Sequence, residues 1–182
     1  MGIRIIEGNV LDAKADALIM TIDGAKKGME GNIARAFARK WPEIWHEIED
    51  EIPYPLPLGE VFDYEPSSEC PFRILLIAST LNHRDTLTES AKKGIVRTAL
   101  DNAITAASGY GIKTIATAIM TGGWRLSQQS AFLAMTEGYE MALQTGKDID
   151  VDIYIMDQNQ YETIQSIARS MGYRQGSSLG NK

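Results

Sequence analysis

The chain has 182 residues, 44% hydrophobic and 23% charged, with 18 Lys plus Arg against 24 Asp plus Glu and a net charge of −6. That balance fits one globular domain; it excludes a disordered tail protein and makes a phosphate-gripping nucleic-acid binder a poor fit. Apolar runs such as Ile74 to Ala78 fall far below the ~20 residues of a membrane span, and the start lacks a signal peptide's apolar core. The reading is a cytoplasmic protein with neither nucleic acid nor membrane as partner. Cys70 stands alone, so no internal disulfide forms, and two histidines cannot complete a multi-cysteine zinc site. No metal and no cofactor is expected.

Gly2 to Ile6 and Ala17 to Met20 read as short strands rich in Ile and Leu. Ile33, Phe37 and Trp41 recur every four residues, which predicts a helix over about 30–41, closed by Pro42. The alternating prolines of Ile52 to Gly59 hold the chain extended and lead into a strand near Glu60 to Tyr64. Pro66 to Pro71 is a loop, and Phe72 to Ala78 is a strand buried on both faces. Thr86-Leu87-Thr88-Glu89 has the spacing of a capping box, and Ala91, Ile95, Ala99, Ala103 and Ala107 mark one helical stripe that stops at Gly109. Lys113 to Ile119 is a strand, Ser127 to Thr145 a helix ended by Gly146, and Val151 to Met156 a strand. Asp157 caps a last helix through about Met171, stopped by Gly172. Residues 1–174 then form one domain, and the polar, Gly/Ser-rich residues 175–182 a flexible tail. Strand and helix alternate throughout, which predicts a central sheet with helices on both faces: an α/β domain.

In such folds ligands sit at the carboxyl ends of strands, where loops lead into helix N-termini. Two glycine-bearing segments occupy such places: Asp23 to Ile33, and Met120 to Leu126. Their glycines either make tight turns only or let backbone N–H groups approach a phosphate. Gly109-Tyr110-Gly111 precedes a strand and reads as a helix stop, and no P-loop sequence is present. His83 follows a strand end and is either a general base or a surface residue; His46 lies in a solvated acidic stretch.

Read together, these pieces resemble the macro domain, the ADP-ribose-binding α/β module. Gly8-Asn9-Val10 resembles the family's Gly-Asp-Ile, and Ala15 to Met20 its Val-Asp-Ala-Ile-Val-Asn. Gly28-Met29-Glu30-Gly31-Asn32-Ile33 resembles its first phosphate loop, Gly-Val-Asp-Gly-Ala-Ile; Ile119 to Trp124 resembles its second, Ile-Gly-Thr-Gly followed by an apolar and an aromatic residue. The resemblance runs from Ile3 to Ala168 and implies a three-layer α/β/α domain with a mixed central sheet. It further implies that Asn9 reads adenine and that the N–H groups of residues 28–30 and of Thr121, Gly122 and Gly123 hold two phosphates. Gly8, Val10, Gly31, Asn32 and Arg125 complete this site, with Trp124 closing over the distal ribose. Asp23 stands where the family has an asparagine that positions that ribose, and Glu30 replaces the loop Asp of hydrolytic members. The implied function is binding of ADP-ribose or an ADP-ribosylated protein. Two alternatives stand beside it. One is an ADP-ribosyl hydrolase, acting on proteins or ADP-ribose-1''-phosphate, with Glu30 and Asp23 catalytic. The other is a degenerate macro-like protein that binds a partner.

Overall fold

The computed structural model describes residues 2–66, 69–123 and 125–175. Its strands are β1 (Ile3–Glu7), β2 (Ala17–Asp23), β3 (Val61–Tyr64), β4 (Ile74–Leu81), β5 (Thr114–Ala118), β6 (Asp150–Ile155) and β7 (Arg174–Gln175). The helices are α1 (Asn32–Lys40), α2 (Pro42–Glu51), α3 (Glu89–Gly109), α4 (Gln128–Gln144) and α5 (Gln158–Ser170). The sheet order is β3-β4-β2-β5-β6-β1-β7. All neighbours are parallel except β3, which runs antiparallel to β4, so the sheet is mixed.

Ile, Leu, Val and Ala fill the central strands because both faces are covered. On one face α3, α4 and α5 close a core that includes Ile19, Leu76, Leu100, Phe132 and Ile153. On the other, α1 and α2 close a second core around Leu18, Phe37, Trp45, Ile48 and Leu75. Consecutive strand residues thus alternate between two dry cores, as expected of parallel strands with helices on both sides. The three-layer expectation holds.

Several boundaries differ from the sequence reading. α1 ends at Lys40, just before Pro42 as expected, but Pro42 also opens a further helix, α2, because a missing N–H costs nothing in the first turn of a helix. The acidic stretch around His46 is the outer face of α2, whose inner face buries Ile44, Trp45 and Ile48. The cap of α3 is Thr88, not Thr86: its hydroxyl accepts from the Ala91 N–H at 3.2 Å. Ala91 is exposed, and the buried stripe of α3 adds Val96, Leu100 and Ile104 to Ala99, Ala103 and Ala107. Gln175, placed in the tail by composition, pairs with Ile5 as part of β7; residues 176–182 lie outside the described residues.

The most consequential difference is length. β2 and β4 stay paired beyond Met20 and Ala78, with Thr21 opposite Ala78, Ile22 opposite Ser79 and Asp23 opposite Leu81.

Where α4 crosses α3, Gly138 lies against the Arg97 backbone, and a Cβ there would sit 2.4 Å from the Arg97 carbonyl oxygen. The substitution Gly138→Ala must push the helices apart, at about 1–3 kcal/mol. Urea unfolding should show that loss; an unchanged midpoint would mean the crossing relaxes freely.

Candidate functional site

A cleft of about 820 Å3 opens at the carboxyl edge of the sheet. Its walls carry the ends of four neighbouring strands: Asp23 of β2, Leu81 of β4, Thr117 of β5 and Tyr154 of β6. Asn32, Gln128 and Asp157, at the N-terminal ends of α1, α4 and α5, also line it. Helix N-termini present unpaired N–H groups and partial positive charge, which suits an anion despite the chain's acidic balance.

The first glycine loop folds back onto β2. The Asp23 N–H donates to Met29 O at 2.9 Å, and Ile22 bridges to Glu30. Gly31 allows this closeness, since a Cβ would lie 2.5 Å from Thr21 O. The second loop rests on the end of β4. Gly122 and Gly123 both adopt left-handed φ, +60° and +67°, and Cβ atoms on them would approach Thr80 O and Leu81. The N–H groups of Gly28, Met29, Glu30, Gly122 and Gly123 have no hydrogen-bond acceptor among the described residues. Both loops line the same cleft.

The structure therefore brings together Asp23, Gly28, Met29, Glu30, Gly31, Asn32, Thr121, Gly122 and Gly123. One detail is corrected: the Thr121 N–H donates to Ile119 O at 3.1 Å, so the outward donors of the second loop are the glycines. Gly8, Asn9 and Val10 do not line the cleft. The Gly8 N–H is held by Ile155 O, Asn9 Oδ1 accepts from the Leu11 N–H at 3.1 Å to cap a short 3-10 turn, and Val10 is buried in the second core. Arg125 is also elsewhere. Its guanidinium donates to Asp85 O at 3.0 Å and to the carbonyls of Asn82 and His83, clamping the chain that follows β4. Lys27, in the first loop, pairs with Asp50 of α2. Trp124 lies outside the described residues.

Asp23 changes role. Its carboxylate is 3% exposed. Oδ1 accepts from the Ala25 N–H at 2.9 Å; Oδ2 accepts from the His83 N–H at 2.9 Å and faces His83 Nδ1 at 2.8 Å. Burial alone would raise its pKa, but these bonds outweigh burial and hold it below the ordinary carboxylate value of 3.8. Glu30 is the opposite case: its Oε2 is buried and has no hydrogen-bond partner among the described residues. His83, which the sequence left between base and surface residue, lines the cleft beside Asp23. Its signal was hidden because the apolar pattern ends β4 at Ala78, whereas pairing with β2 carries the strand on to Leu81.

No protein-family model and no curated protein sequence matches the chain. Solved structures do. The chain is similar to a point mutant of the Oceanobacillus iheyensis macrodomain, with a TM-score of 0.78 at 16% identity, over 92% of this chain and 90% of that one. The fold is that of a macrodomain. Another point mutant of the same macrodomain, solved with ADPR, matches at a TM-score of 0.77 and 14% identity, over 92% and 91% of the two chains. The macrodomain of Mycobacterium tuberculosis DarG matches at 0.67 and 20% identity, over 85% of this chain and 98% of that one. At these identities the shared property is the macrodomain fold, and the cleft lies where that fold exposes the carboxyl edge of its sheet. Among the described residues no helix is long and apolar enough to cross a membrane, and no cluster of His, Cys, Asp or Glu is arranged to hold a metal ion.

The depressed Asp23 pKa has a consequence for stability. A carboxylate with a lowered folded-state pKa stabilises the fold above its unfolded value, and that stability is lost as pH falls through the folded value. Asp23→Asn should therefore lower stability at pH 7 and flatten the loss of stability between about pH 5 and the folded-state value. Thermal melts from pH 7 to pH 3 check this; parallel curves for the two proteins would remove Asp23 from the acid transition.

Proposed function

We propose that the chain binds ADP-ribose or a close nucleotide relative in this cleft. The observation that carries the reading is the set of five unpaired backbone N–H groups, on two loops lining one cleft. Two such loops suit a diphosphate, because anions are held there by fixed dipoles without a lysine or arginine cage. The cleft's volume falls within the ~300–1,000 Å3 range of ligand pockets. A likeness in fold to a macrodomain solved with ADPR agrees with this choice of ligand. An ADP-ribosylated protein is the corresponding macromolecular partner, its modification entering the cleft while the protein stays outside.

Calorimetry should give micromolar affinity for ADP-ribose, about −8 kcal/mol, and weaker affinity for ADP, which lacks the second ribose. Gly122→Glu should abolish both, since its side chain enters the phosphate space and its charge repels the ligand. The left-handed φ of Gly122 adds a stability cost of about 1–2 kcal/mol, visible as a lower melting temperature. No heat with wild type at millimolar ligand would refute the reading.

A second reading, hydrolysis of an ADP-ribosyl bond, is favoured by one observation: the buried, unpartnered Oε2 of Glu30 in the cleft. A carboxylate that lines a ligand site and has an unsatisfied oxygen needs only a turn of its side chain to orient a water. On this reading Glu30→Gln lowers turnover of ADP-ribosylated protein by ~100-fold or more while ADP-ribose affinity changes little. A fully active Glu30→Gln variant would exclude Glu30 as the base.

A further inference from the structure

One cluster in the cleft is left unexplained by phosphate binding: the paired side chains of Asp23 and His83. Asp23 has little capacity left for a ligand, because its two oxygens already meet two N–H groups and an imidazole nitrogen. It is also almost fully buried. What the pair offers to the cleft is the ring of His83, whose side chain is 37% exposed.

The hydrogen bond fixes which ring nitrogen is free. An ionised carboxylate only accepts, so His83 Nδ1 carries the proton that lies between them. Nε2, across the ring, has no partner among the described residues. In the neutral ring Nε2 is an acceptor; in the imidazolium both nitrogens donate. The backbone N–H of His83 donates to the same Asp23 oxygen, and Arg125 reaches the His83 carbonyl at 3.5 Å, so main chain and ring are held together.

We propose that His83, oriented by Asp23, is the residue that selects the end group of the ligand in this cleft. When the ring is neutral, Nε2 accepts a hydrogen bond from a ligand hydroxyl, such as one on a terminal sugar. When the ring is charged, Nε2–H donates to a terminal phosphate oxygen instead. Asp23 acts only through the ring and is a positioning residue. The inference rests on the proposed nucleotide binding and adds a preference that changes with pH: a sugar-terminated diphosphate at neutral pH, a phosphate-terminated one in acid.

The charged groups around the ring set the background for that change. Asp23 on β2 stays ionised. Glu30 in the first loop, Arg35 on α1 and Asp157 at the start of α5 line the same cleft, while Arg84 and Asp85 follow His83 in the chain. Arg125 of the second loop is turned onto the carbonyls of residues 82, 83 and 85. Imidazole is the side chain whose charge ordinarily changes between pH 5 and 8.

The test compares ADP-ribose and ADP by calorimetry at pH 5.5 and pH 8, in wild type and in His83→Asn. An asparagine amide keeps a donor for Asp23 near the place of Nδ1 but has no atom at the place of Nε2 and no charge. Wild type should gain affinity for ADP relative to ADP-ribose by about tenfold between pH 8 and pH 5.5, the size of one charge-assisted hydrogen bond. In His83→Asn that relative gain should vanish and ADP-ribose should bind about tenfold more weakly at pH 8, with the melting temperature unchanged. ADP's own protonation is common to both proteins and cancels in the comparison. If wild type binds and His83→Asn matches it at both pH values, this proposal is overturned while the nucleotide reading stands. If wild type binds neither ligand, the nucleotide reading falls and takes this proposal with it. Nitrogen NMR of the ring in the free protein gives a test that needs no ligand: a proton on Nε2 and none on Nδ1 at pH 8 would overturn the proposal.

Discussion

The parallel pairing of β2 with β4 is the constraint on which the cleft depends. Backbone pairing continues beyond the apolar stretch of each strand, and Asp23 and Leu81 end side by side. From that shared edge the two loops and the His83 segment are hung. The first loop returns through Asp23 N–H to Met29 O, and the Gly24 N–H donates to Leu81 O at 3.1 Å. Shortening either strand would release Asp23, and with it the geometry of Ala25 and His83.

Close approach of backbones is the second condition, and glycine provides it where a side chain would collide. Gly24 packs on Ser79 and the Leu56 carbonyl, where a Cβ would come within 2.2 Å of Ser79 Oγ and 2.1 Å of Leu56 O. Gly31 does the same against Thr21, and Gly123 against Leu81. These contacts bring the loop backbones against the strand ends, so N–H groups rather than long side chains face the ligand space. An acidic protein can then attract an anion locally, because fixed dipoles act over a few ångströms and net charge does not decide them.

Of the three carboxylates that line the cleft, Asp23 and Glu30 contrast most in their chemistry. Asp23 is buried and fully engaged, and its hydrogen bonds keep it ionised. Glu30 is half-buried, with an oxygen that no described residue satisfies. A buried polar atom without a partner costs free energy, so such groups persist where a ligand or water completes them. The first carboxylate builds the site and the second remains open to an occupant.

The sequence by itself determined the α/β class, most strand and helix positions, and the two glycine loops, because these follow from local periodicity and from glycine at strand-to-helix junctions. The resemblance of Gly28 to Ile33 and of Ile119 to Gly123 to macro-domain loops fell on residues that, apart from the core residue Met120, line the cleft. Other expected site residues make different contacts in the structure, one of them local and the others distant in the chain. Asn9 stands at the expected strand end, but its side chain is taken by a local cap. Arg125 follows the second loop, yet its charge is drawn to carbonyls 40 or more residues earlier. Asp23 and His83 are 60 residues apart. Only sheet register makes them neighbours, because hydrophobic pattern marks which residues are buried and says nothing about which polar ends meet once two strands are laid in parallel.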